Sequence, residues 1–106
     1  MNADVKTRWL EALRSGRYYQ HEGGLYWNNM YCCLGVLAKV EGVLRDDGCA
    51  ATVDCQEPAE DGKCGMLSRA FADRVGLSPE EQKTLANLND DGQSFDLIAD
   101  YIEAKL

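Results

Sequence analysis

The chain has 106 residues, 45% hydrophobic and 27% charged, which fits one globular domain spanning residues 1–106 and excludes a disordered, fibrous or low-complexity chain. No apolar run approaches the roughly 18–20 residues of a membrane span. Met1 to Leu13 carries Asp4, Lys6, Arg8 and Glu11 where a signal peptide would be apolar, so a cytoplasmic protein without a membrane partner is expected. The net charge of −7 is uneven: six basic and four acidic residues in 1–45 give +2, and five basic and fourteen acidic residues in 46–106 give −9. Such an acidic half repels nucleic-acid phosphates, and a protein partner with a basic surface suits it better.

The first predicted element is a helix from about Asn2 to Ser15, because Val5, Trp9, Ala12 and Leu13 recur at three- and four-residue intervals and Gly16 can end it. Trp9 is expected in the core. From Arg17 to Trp27, Tyr18, Tyr19, Tyr26 and Trp27 flank Gly23-Gly24, which predicts two short antiparallel strands joined by a glycine turn. Aromatic pairing across that hairpin favours packing over an exposed binding surface. Cys33, Leu34, Leu37 and Val40 then mark a helical stripe within Cys32 to Val43, read as the central buried helix.

Leu44 to Cys64 shows no sustained period and contains Asp46-Asp47-Gly48, Pro58 and Asp61-Gly62, so it reads as irregular, with one short strand near Ala51 to Asp54. Met66 to Val75 is a predicted amphipathic helix closed by Gly76. Ser78-Pro79-Glu80-Glu81 reads as a capping box with proline in the first turn of a helix reaching Leu88 or Asn89. After Asn89-Asp90-Asp91-Gly92, Ser94 can cap a last helix with Phe95, Ile98 and Ile102 on one face and Asp96, Asp100 and Glu103 on the other. The expected fold is α+β: four to five short helices packed around a central helix, with a small antiparallel β-hairpin.

Chemistry-bearing residues are scattered. Cys32, Cys33, Cys49, Cys55 and Cys64 are odd in number and lack a Cys-x-x-Cys pair, which favours free thiols over a disulfide framework or zinc. Of the vicinal pair, one is expected in the core and the other partly covered. His21 is read as a surface histidine, with no nucleophile signalled nearby. Placing Gly92 at the sixth position of an EF-hand loop puts Ser94 and Ile98 where an aliphatic residue and a bidentate Glu belong. Asn89 to Gly92 therefore reads as a helix-to-helix turn whose Asp and Asn side chains bond local backbone. Neither a catalytic set nor a cofactor or metal is called for.

Three blocks carry a resemblance: Arg8-Trp9-Leu10-Glu11-Ala12-Leu13-Arg14-Ser15-Gly16-Arg17-Tyr18, Tyr31-Cys32-Cys33-Leu34-Gly35-Val36-Leu37, and Leu85-Ala86-Asn87-Leu88-Asn89-Asp90 with Ser94-Phe95 and Ile98-Ala99. In this order they resemble a family of small bacteriophage and prophage proteins. The resemblance gives an origin and no mechanism; a small, acidic phage protein without catalytic motifs is expected to be an accessory factor that binds and blocks a host defence protein, as anti-CRISPR proteins do. The surface that charge nominates for such docking is acidic, comprising Glu80, Glu81, Asp90, Asp91, Asp96, Asp100 and Glu103, and it would occupy a Lys/Arg-rich nucleic-acid channel of a Cas protein. The alternative is a small-molecule or zinc-binding module built from the aromatic hairpin, His21 and the cysteines.

Overall fold

The starts of α-helices in this chain at residues 3, 33, 79 and 95 are set by capping side chains, and four glycines at positive φ follow helix ends. The computed structural model describes residues 1–22, 26–27, 30–44, 67 and 69–106, and the strand expected near Ala51 to Asp54 falls outside them. The fold is mixed α+β and mostly helical, in the order α1 (Ala3–Arg14), β1 (Tyr19–Gln20), β2 (Tyr26–Trp27), β3 (Met30–Tyr31), α2 (Cys33–Val40), α3 (Arg69–Val75), α4 (Pro79–Asp90) and α5 (Phe95–Lys105).

The starts of α1, α4 and α5 follow from their sequences. Asn2 Oδ1 accepts from the backbone N–H groups of Asp4 and Val5. Ser78 and Glu81 exchange side-chain and backbone hydrogen bonds at 2.9 and 3.1 Å, a complete capping box. Ser94 Oγ accepts from the Leu97 N–H. The helix α2 starts less conventionally: Cys32 is its N-cap and offers sulfur, which accepts weakly from the Gly35 N–H at 3.4 Å.

The ends of α2, α3 and α4 share one device, in which a glycine after the helix takes positive φ and two backbone N–H groups turn back on the last carbonyls. At α3 the Gly76 N–H donates to Asp73 O and the Leu77 N–H to Ala72 O, with Gly76 at φ 85°. The same pair of bonds at Gly42 and Val43 stops α2 at Val40, short of the Val43 end read from the stripe. A Cβ at residue 76 would also sit 2.9 Å from the Met1 Cα. Beside it, the Asn2 N–H donates to Val75 O at 2.9 Å, so the start of α1 is sewn to the end of α3.

The helices make the core by apolar periodicity. Val5, Trp9 and Leu13 of α1, Leu85 of α4, and Phe95, Ile98, Ala99 and Ile102 of α5 are buried, as is every residue of α2 from Cys33 to Ala38. The principal contacts run from α1 to both α5 and α2, and from α4 to both α2 and α5. The short α2 also backs onto β3. Full burial of side chains such as Leu34, Leu37 and Phe71 stabilises by about 1.5–3 kcal/mol each before entropy is charged. The Trp9 indole N–H is satisfied inside by Cys33 O at 2.8 Å.

The strands correct the predicted hairpin. Residues 19–20 and 26–27 do not pair with each other; β3 lies between them, giving the sheet order β1-β3-β2. The strand β3 runs parallel to β1 and antiparallel to β2, with Tyr19 opposite Met30 and Tyr26 opposite Tyr31. The physical reason is aromatic. Tyr31 makes a T-shaped contact with Tyr18 at 5.2 Å and a tilted one with Tyr26 at 5.1 Å, so the middle strand gives it an aromatic partner from each neighbouring segment.

Candidate functional site

Three features compete as the functional site: a buried polar seam, the acidic helical surface and a groove on α1. Each follows from which residues the helical period turns inward or outward.

The seam centres on Asn89, near the end of α4 and fully buried. Its Oδ1 accepts from Gln20 Nε2 at 2.9 Å and from the Cys33 N–H at 3.3 Å, and its Nδ2 donates to His21 O at 2.7 Å. Gln20 Nε2 donates as well to Gln93 O at 2.6 Å. One amide thus ties α4 to β1 and to the first turn of α2, where a backbone N–H would lack a partner within its helix. Gln82 does similar work, its Oε1 accepting from the buried Leu67 N–H. Sequence reading gave Asn89 to a local turn, whereas its side chain bonds residues far away in the chain. His21, expected on the surface, is partly buried, because its carbonyl is enlisted by Asn89 and its N–H by Tyr31 O.

The vicinal cysteines join this seam as core residues. Both are free thiols, and both are buried, where one was expected to be only partly covered. Burial pushes the Cys32 thiol up to about 11, only partly offset by the Gly35 and Leu34 N–H groups, and raises Cys33 well above its ordinary value. Thiols held protonated are poor nucleophiles and poor metal ligands. Among the described residues, no three His, Cys, Asp or Glu side chains are grouped to hold a metal; Cys49, Cys55 and Cys64 lie outside those residues.

The seven nominated carboxylates fall on α4, α5 and the turn between them, but they do not form one free set. Asp100 and Glu103 both grip Arg14 of α1 at 2.8 Å, and the Glu103 carbonyl accepts from Lys6 Nζ. Glu81 is committed to its capping box. Glu80, Asp91 and Asp96 are exposed, and none of the ion pairs formed among the described residues involves them. Asp90 is exposed at the last turn of α4.

The third feature was missed. Arg8, Glu11 and Ala12 of α1 and its C-cap Ser15 fall on one face at the i, i+3, i+4, i+7 spacing. With Arg17, Tyr18, Lys39 and Val40 they line an open groove of about 550 Å³. Arg8 is fixed by a two-pronged contact with Glu41, at 2.9 and 3.0 Å, and those hydrogen bonds hold the Glu41 carboxyl below its ordinary value. The sequence signal was available: a cation, a carboxylate and two small residues on one stripe, followed past Gly16 by Arg17-Tyr18. A second hollow of about 470 Å³ lies between α1 and α5, lined by Thr7, Leu10, Glu11, Arg14 and Glu103.

Residues 1–51 match the model of a family described as a domain of unknown function (DUF8296). That is just under half of the chain, so the first half is similar to this family. The matched stretch contains α1, β1, β2, β3 and α2, and every residue lining the larger groove; α4 and α5 lie beyond it. No curated protein and no solved structure matches the chain.

Proposed function

We propose that the protein works as a binding factor that docks on a basic protein surface through α4 and α5. The observation that carries this reading is the charge of that region. Pro79 to Lys105 holds seven carboxylates against Lys83 and Lys105, a net of −5, and Glu80, Asp91 and Asp96 stand exposed. Charge of one sign on a folded surface steers association with an opposite surface and makes it salt-dependent. The resemblance to phage and prophage proteins supplies the class of partner: a host defence protein, with the acidic surface standing in for nucleic acid in the channel of a Cas protein.

The test is binding to a purified Cas protein, with and without its guide RNA, by surface plasmon resonance across a salt series. The variant of choice is Asp91→Lys with Asp96→Lys, because neither residue belongs to an ion pair formed among the described residues. Asp100 is a poorer choice, since a lysine there would face Arg14. The reading expects binding that guide RNA blocks, that salt weakens, and that the double variant loses by at least about tenfold. Equal affinity for wild type and variant would remove the acidic surface from the account.

A further inference from the structure

We propose that the α1–α2 groove is a second site, one that binds a small phosphate monoester bearing hydroxyl or amino groups. It shares no residue with α4 or α5. Its volume of about 550 Å³ suits a ligand the size of a mononucleotide. Arg17 and Lys39 place two unpaired cations on its walls, Glu11 adds one carboxylate, and the charge of Arg8 is met by Glu41, which leaves a local surplus of +1 in a chain whose net charge is −7. A phosphate monoester carries about −1.5 to −2 at neutral pH and is drawn to Arg17 and Lys39, the two cations there without a carboxylate partner among the described residues.

The division of labour follows from the contacts. Arg17 and Lys39 are exposed, and among the described residues neither has a carboxylate partner, so both are available to a phosphate. Arg8 spends two of its five N–H donors on Glu41. That bond fixes the guanidinium in place and leaves three donors for a ligand, an arrangement that lowers the entropy lost on binding. Glu11 would repel the phosphate and accepts from a hydroxyl or amino group instead, which orients the ligand along the groove. Tyr18 adds an aromatic wall and is braced by its T-shaped contact with Tyr31.

The experiment is an NMR titration of the ¹⁵N-labelled full chain with adenosine monophosphate, inorganic phosphate and adenosine in parallel. The expected result is saturable shifts at Glu11, Arg17, Tyr18 and Lys39 with the monophosphate, weaker ones with phosphate alone, and none with adenosine. Arg17→Ala with Lys39→Ala should weaken the monophosphate by at least about tenfold, while Lys83→Ala, outside the groove, should not. Because Arg17 and Lys39 are exposed, the double variant keeps its fold, which its spectrum verifies directly. Shifts that are absent with every probe, equal with adenosine, or unchanged in the double variant overturn the proposal.

Discussion

Replacing Asn89 by alanine tests the claim that one buried amide couples α4 to the first half of the chain. The side chain is fully buried and makes three hydrogen bonds. Gln20 keeps its bond to Gln93 O when Asn89 is truncated, so the losses concentrate on the Cys33 N–H and the His21 carbonyl. Leaving a buried backbone group without its partner costs about 1–3 kcal/mol, which puts Asn89→Ala near ~3 kcal/mol for the two groups together. At about 4–8 °C per kcal/mol for a domain of this size, the melting temperature should fall by roughly 12–24 °C. The substitution Asn89→Asp sharpens the test because it keeps the shape and, once ionised, has no donor for His21 O. Burial raises a carboxyl at this site above its unfolded value of about 3.9. The penalty is therefore small while the group is protonated in both states, grows as pH rises through that value, and levels off above the folded pKa. Urea unfolding followed by tryptophan fluorescence, with Trp9 as a buried reporter, gives both numbers. A loss below about 0.5 kcal/mol for Asn89→Ala, within the range of ordinary surface substitutions, or a stability of the Asn89→Asp variant that ignores pH, would refute the role given to the seam.

Four further expectations follow from contacts described above. Ser78→Ala should cost about 1 kcal/mol by removing the capping box of α4, read as a lower urea midpoint at unchanged slope. Gly76→Ala should cost more than a routine glycine change, about 2 kcal/mol, since it combines positive φ with the Met1 backbone at 2.9 Å; a neutral effect would show that the start of α1 does not hold that position. Cys32 and Cys33 should resist thiol reagents at about pH 8 until the protein unfolds, with labelling mapped peptide by peptide, because burial keeps both protonated. Glu41, held below its ordinary 4.5 by the hydrogen bonds from Arg8, stabilises the fold above that value and loses its contribution as pH falls through its lowered folded pKa. Glu41→Gln should therefore flatten the stability profile below pH 4.5, and an unchanged acid limb would sink the assignment.

Local signals read well from the chain, and non-local ones poorly. Ser78 and Ser94 announced two helix starts because a cap acts on N–H groups three residues away, and Gly76 announced a stop for a similarly local reason, whereas the Asn2 cap went unread. Trp9, Ile98 and Ile102 were placed inside by period alone. The strand order was invisible, since nothing local to Tyr18 or Tyr26 says that Tyr31 will lie between them. Asn89 misled because Asn in an Asn-Asp-Asp-Gly run has a good local use, and tertiary context overrode it. The acidic surface was legible as composition, but Arg14 had to be placed before two of its members were seen to be engaged.

The ties between α1 and α5 span most of the chain: Lys6 reaches the Glu103 carbonyl and Arg14 the Glu103 carboxylate, 97 and 89 positions apart. During synthesis at about 5–20 residues per second, α1 would wait roughly 4–18 s for its partner helix. Over that interval Val5, Trp9 and Leu13 cannot complete their native packing. The first half of the chain therefore behaves in birth as an unfinished core, which α5 closes.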